Sequence, residues 1–148
     1  MGFVFSFDAV DGGTQRTLEL MPLTVRRKLD EVGLKLSLEG WRALAHSDRQ
    51  RLVAVSDDAF LAELRAVTER ARVSLSPVRA PQPWRASEPP EVVVRAASEL
   101  GARIDRAAWE ALDHDARFTL HHLARPRAGR DSSDERLRLA LVELGLLA

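Results

Sequence analysis

The stretch LKLSLEGWRAL, residues 34–44, closes one helical pattern and opens another. Sixty-eight residues on, the chain reads ARIDRAAWEAL, residues 102–112. In both, a polar residue (Ser37 or Asp105) stands where its side-chain oxygen can cap the helix that follows. An apolar residue, Leu36 or Ile104, sits just before that cap, and a tryptophan, Trp41 or Trp109, sits four residues after it. Apolar residues at this spacing clamp the chain where it enters a helix. Each tryptophan is therefore expected to anchor a helix–turn–helix corner.

The match extends outward from the corner. Shifted by 68 residues, segment 22–52 falls on 90–120 without a gap, and eleven of the 31 pairs are identical. They include Pro22/Pro90, Val25/Val93, Glu31/Glu99, Gly33/Gly101, Trp41/Trp109, His46/His114 and Arg49/Arg117. Chance supplies roughly two or three in so biased a composition, and self-similarity at a fixed offset marks a repeated structural unit. Pro22 and Pro90 suit the first helical position, where the missing N–H costs nothing. Gly33 and Gly101 suit the left-handed residue that ends the same helices.

Further helices follow in each half. Ser47 with Gln50 has capping-box spacing, and Asp113 or Asp115 opens the matching helix. Helical periodicity then recurs near 57–72 (Phe60, Leu61, Leu64, Val67, Ala71) and near 133–144 (Leu137, Ala140, Leu141, Leu144). Ser132 with Glu135 is a second capping box, and Gly145 is a stop. Strand character is confined to FVFSF at 3–7. Residues 73–89 form a proline-rich connection; with Pro90 they hold five of the seven prolines. Such a segment has extended, polyproline-like character and no helix inside it. Trp84 in its middle either packs onto the body or gives a partner an anchor, and its size favours the first. The expected fold is all-α: two similar helical units, about 17–72 and 90–148, packed as one compact domain and joined by this segment.

Composition bounds the function more than it defines it. At 148 residues the chain suffices for one domain. It has no cysteine, which excludes disulfides, thiolate metal sites and cysteine nucleophiles. Twenty-two basic and 22 acidic residues give zero net charge, so no global field draws it to nucleic acid or anionic lipid. No apolar run is long enough to span a membrane. The opening MGFVFSFDAVDGG makes a poor export signal, so a cytoplasmic location is expected. Gly2 and Ser6 fit a myristoylation pattern too short to carry weight.

No site for catalysis stands out. His46 and His114 fall at helix entrances, and His114 and His121 lie two turns apart without a converging third ligand, so no metal site is expected. Asp113, Asp115, Asp131 and Asp134 all suit the first turn of a helix, where the dipole favours them. No phosphate loop, dinucleotide fingerprint or nucleophile elbow occurs. The chain is expected to be no enzyme and to carry no cofactor. Glu31 with Arg49, and Glu99 with Arg117, read as ion pairs fixing the two corners. Two basic clusters remain as candidate partner contacts together with Trp84. Arg26, Arg27 and Lys28 lie in a helix and read mostly as a solvated face. Arg125, Arg127 and Arg130 occupy an insertion in the second half, where an arginine fork suits an acidic partner.

The segments LELMPLTVRRKLDEVGLKLSLEGWRAL, WEALDHDARFTLHHLARP and LALVELGLL together resemble the nitrate reductase associated protein family. The residues that carry the resemblance are Pro22, Val25, Arg26, Lys28, Leu29, Asp30, Gly33, Lys35, Leu36, Ser37, Leu38 and Trp41. Trp109, Leu112, Arg117, Phe118, Leu120, Leu123 and Arg125 continue it. Met21 and Leu23 depart mildly from the family's Ile and Met. Leu20 and Val32 stand where cysteines occur in the family, so a thiol-based role lacks its residue. The resemblance implies an accessory protein that supports a molybdenum-dependent nitrate reductase, in maturation or cofactor insertion. It implies binding to that enzyme or to its molybdenum-cofactor assembly machinery, and hands over no catalytic residue. A general helical adaptor with another client is the alternative.

Overall fold

The computed structural model describes residues 17–79, 82–125 and 130–148, and of residues 130–134 the backbone alone. Among these the chain is mostly helical, with one two-stranded sheet, and it divides into two compact units between residues 81 and 82.

The first unit holds α1 (Leu23–Val32), β1 (Leu34–Lys35), α2 (Leu38–Ala43), α3 (His46–Ala54), α4 (Asp57–Ala71) and β2 (Ser76–Pro77). α1 starts one residue later than the proline pattern suggests. Pro22 is its extended N-cap, and the Pro22 carbonyl accepts from the amides of Val25 and Arg26. Gly33 ends α1 at φ +72°, and a Cβ there would stand 3.3 Å from the Val78 carbonyl oxygen. That close approach exists because β1 pairs antiparallel with β2, Leu34 opposite Pro77 and Lys35 opposite Ser76. Pro77 is tolerated because a two-stranded sheet is all edge. This ribbon is the described sheet, whereas the strand signal at 3–7 lies outside the described residues. Ser37 then caps α2 by accepting from the Gly40 amide at 2.9 Å. α3 begins at His46 with Ala45 as its N-cap, so Ser47 lies inside the helix and its capping-box reading is corrected.

Side chains from all four helices close over Val25, Leu29, Leu36, Trp41, Leu52, Phe60, Leu64 and Val67, each buried. Burying a side chain of this kind is worth about 1.5–3 kcal/mol. On α4 the buried face is Phe60, Leu64, Val67 and Thr68; Leu61 and Ala71 lie half-buried at its margin.

The second unit holds a 3-10 turn (Pro83–Arg85), α5 (Glu91–Glu99), α6 (Arg106–Glu110), α7 (His114–Ala124) and α8 (Arg130–Glu143). Pro90 is again an extended N-cap, and Asp105 caps α6 by accepting from the Ala108 amide at 2.8 Å. Asp113 caps α7 through the Ala116 amide, and Asp115 is buried in the first turn. α8 begins two residues before Ser132, which places that residue inside the helix and not at its cap. Gly145 follows α8 at φ +75°. Val93, Ala97, Ile104, Trp109, Phe118, Leu120, Leu137 and Leu141 are buried.

The proline-rich segment is partitioned between the units. Ser76–Pro77 belong to the ribbon of the first. Pro83–Arg85 wind into a 3-10 turn in the second, so the expectation of a segment with no helix inside it is corrected. A three-residue turn with proline at its start needs no N–H from the proline, which is why the sequence permits it.

Candidate functional site

In the first unit the basic cluster of α1 turns inward. Arg27 is fully buried, its guanidinium held by Asp57 through two bonds of 2.9 and 3.0 Å and by Glu31 at 2.8 Å. This fork meets a carboxylate in the bidentate geometry that arginine favours. The Arg27 guanidinium, through its hydrogen bonds first, holds the Asp57 carboxyl below the usual carboxylate range; partial burial opposes the shift, and the charges of Arg27 and Lys28 add to it. Lys28 is also buried and donates to the carbonyls of Leu52, Val53 and Val55, the end of α3. The solvated-face reading therefore fails for Arg27 and Lys28, and holds for Arg26, which is exposed with its Nε on the Met21 carbonyl.

The corner arginines also differ from expectation. Arg49 forms no ion pair with Glu31, whose carboxylate is taken by Arg27. Its guanidinium donates instead to the carbonyls of Leu44 (3.2 Å), Leu18 (3.1 Å) and Arg42 (2.7 Å). Arg117 likewise donates to the carbonyls of Trp109 and Glu110, and no ion pair with Glu99 is present among the described residues. The tryptophans complete the corners: Trp41 Nε1 donates to Leu18 O at 2.8 Å and Trp109 Nε1 to Ala86 O at 2.9 Å. A guanidinium spreads its donors over a fan that several carbonyls fit, whereas one carboxylate satisfies only two.

The second unit brings together two candidate residues that the sequence kept apart. Trp84 is buried, not offered to a partner, and its ring meets the edges of His114 and Phe118 at centroid distances of 5.7 and 5.6 Å. One turn along α7, Phe118 stacks with His122 at 5.7 Å and 17°. The Arg125 guanidinium then lies 3.0 Å from His122 Nδ1. Since arginine can only donate, a hydrogen bond here uses Nδ1 as the acceptor. At the other end, Arg85 lies 6.0 Å over the Trp84 ring and donates to Gln82 Oε1 at 3.1 Å. A continuous row results, Arg85, Trp84, His114 and Phe118, His122, Arg125, with buried aromatic rings beneath and both arginines exposed.

Sequence reasoning missed Arg85, His114 and His122 as members of this row. His114, Phe118 and His122 fall four residues apart, the one signal that could have joined them. Arg127 lies outside the described residues, and Arg130 opens α8 with its side chain likewise outside them. Chemically the row offers fixed cations over an apolar floor. Among the described residues no group of three His, Asp or Glu side chains is arranged to hold a metal ion, and no helix is long and apolar enough to cross a membrane.

The architecture is that of a small, mostly helical protein whose buried cations hold carboxylates and carbonyls of its own chain. The chain belongs to the nitrate reductase-associated family: the model described as conserved nitrate reductase-associated protein matches residues 4–143, nearly the whole chain. No curated protein and no solved structure matches it.

Proposed function

We propose that the chain is a non-catalytic accessory protein that supports the activity or maturation of nitrate reductase by binding it, or by binding its molybdenum-cofactor assembly machinery. The observation that carries this reading is the family match over residues 4–143. Its support from chemistry is that the buried and half-buried cations have structural employment. Arg27, Lys28, Arg49 and Arg117 are each matched to a carboxylate or to carbonyls of their own unit. In this reading the protein works in the cytoplasm, needs no cofactor and has no business with nucleic acid.

Its two halves are copies of one helical unit, each built on a Trp–Arg corner. Support for the duplication comes from hydrogen bonds at matched positions: Trp41 to Leu18 and Trp109 to Ala86 each span 23 residues. The caps Ser37 and Asp105, 68 apart, each accept from the amide three residues on. The test is affinity purification of the tagged protein from its host grown on nitrate, with mass spectrometry of the eluate. Nitrate reductase or a molybdenum-cofactor protein is expected. A reproducibly different client would make the chain a helical adaptor of another kind and retire the nitrate role.

A further inference from the structure

We propose that the row Arg85–Trp84–His114–Phe118–His122–Arg125 is a docking strip for a carboxylate-bearing segment of a protein partner. Two features build it. First, both end arginines are oriented, and neither meets a carboxylate among the described residues. Arg85 is held by the amide oxygen of Gln82 and Arg125 by the imidazole Nδ1 of His122. Elsewhere, exposed arginines such as Arg70, Arg95 and Arg106 are met by Asp48, Glu91 and Glu110. A guanidinium fixed without a carboxylate keeps its full charge and most of its donors. An arriving carboxylate therefore meets a preset fork at little cost in side-chain ordering.

Second, the two cations are joined by a rigid floor. Trp84 and Phe118 are 1% and 8% exposed and lock each other edge to face at 5.6 Å. The imidazoles of His114 and His122 lie against them, the first exposed and the second half-buried. The acids nearest on α7, Asp113 and Asp115, lie at its other end from Arg125; one caps the helix and the other is buried. The strip thus fits an extended acidic peptide with carboxylates at the two forks.

The inference deepens the accessory reading but is tested apart from it. The full chain is titrated with a short Glu-rich peptide and followed by amide NMR shifts, in parallel with Arg85→Glu/Arg125→Glu. A control variant, Arg103→Glu/Arg138→Glu, reverses two exposed arginines outside the row. Expected are shifts confined to residues 82–86 and 114–125, and binding weakened by at least about tenfold in the row variant but not in the control. If the row variant unfolds, Arg85→Gln/Arg125→Gln takes its place with the same expectation. Equal weakening in the control, shifts elsewhere, no binding, or tighter binding of an oligonucleotide of equal charge would each overturn the proposal. The same variants are then used to capture nitrate reductase. Failure of the wild-type chain there counts against the accessory reading alone, while the peptide titration still decides the strip.

Discussion

The ammonium of Lys28 lies 2.7 Å from the carbonyl oxygen of Val55, and within 2.9 and 3.2 Å of those of Val53 and Leu52. These are carbonyls that the end of α3 leaves without intrahelical donors, so a buried lysine caps the helix from across the unit. Sixty-eight residues on, Ala96 stands in place of Lys28, and α7 runs to 11 residues against the 9 of α3. The longer helix supplies donors that Lys28 supplies in the first unit. Lys28→Met keeps the stem and removes the donors, and should cost about 2–4 kcal/mol in urea unfolding. A loss below about 1 kcal/mol would mean that water replaces the ammonium and that the cap is dispensable.

Arg27 and Asp57 give the protein a defined acid response. Because the folded Asp57 titrates below its unfolded value of about 3.8, the folded state binds fewer protons there. The stabilisation is therefore complete above that value and is lost as pH falls through the lower folded one. Asp57→Asn should flatten the acid limb of the stability profile below about pH 4 relative to the wild type. Arg27→Met should be worse at neutral pH, by about 1–3 kcal/mol, since it leaves Glu31 and the partly exposed Asp57 without their shared donor. Denaturation midpoints across pH 2–7 would separate the two; parallel profiles for wild type and Asp57→Asn would sink the assignment.

Removing Arg49 should unfold the first corner without touching the α7 row. Arg49→Ala releases the carbonyls of Leu18, Leu44 and Arg42 and should cost about 2–3 kcal/mol. Arg117→Ala releases two carbonyls and should cost less. Thermal melts with peptide binding measured below the transition would check this. An unchanged melt combined with lost partner binding would move Arg49 from the scaffold to the interface.

What the sequence reveals here is what lies within one turn of chain. Ser37, Asp105, Asp113, Gly33 and Gly145 do what their spacing suggests, because caps and left-handed stops are settled by residues three or four positions away. The inward turn of Arg27 and Lys28 is not legible in the sequence because their acceptors, Asp57 and Val55, lie about one helix pair further on; a cation's burial depends on partners that periodicity cannot see. The Glu31–Arg49 pairing fails for a related reason. The corner gathers three carbonyls that carry no sequence signal, and they outcompete a carboxylate already occupied by Arg27. Trp84 and Arg125 stand out singly in the sequence, yet only the packing of the 3-10 turn on α7 places them in one row.

Gly40 marks a close approach that its equivalent position does not need. A Cβ on Gly40 would come within 2.8 Å of Val73 Cγ1 and 2.9 Å of Leu36 Cδ1, whereas the residue 68 further on is already alanine, Ala108. Gly40→Ala should cost about 1–3 kcal/mol by overpacking despite the better helix propensity of alanine. A gain in stability would show that Val73 swings away freely.

Arg72 offers the opposite sign. It closes α4 at φ +55°, a left-handed conformation in which its amide bonds to the carbonyls of Glu69 and Thr68 while the Val73 amide reaches Thr68 O. Among the described residues, the other left-handed positions that follow a helix are glycines, Gly33, Gly101 and Gly145. A non-glycine residue pays about 1–2 kcal/mol for this conformation through its Cβ. Glycine escapes that cost but loses more chain entropy on folding, so Arg72→Gly should stabilise the protein by about 0.5–1 kcal/mol. Arg72 is exposed and shows no side-chain bond among the described residues, so little else is lost. Thermal unfolding of Arg72→Gly beside Arg72→Ala isolates the backbone effect, because alanine keeps the Cβ. Equal melting temperatures for the two variants would mean that the left-handed cap is held without strain and that α4 ends there for another reason.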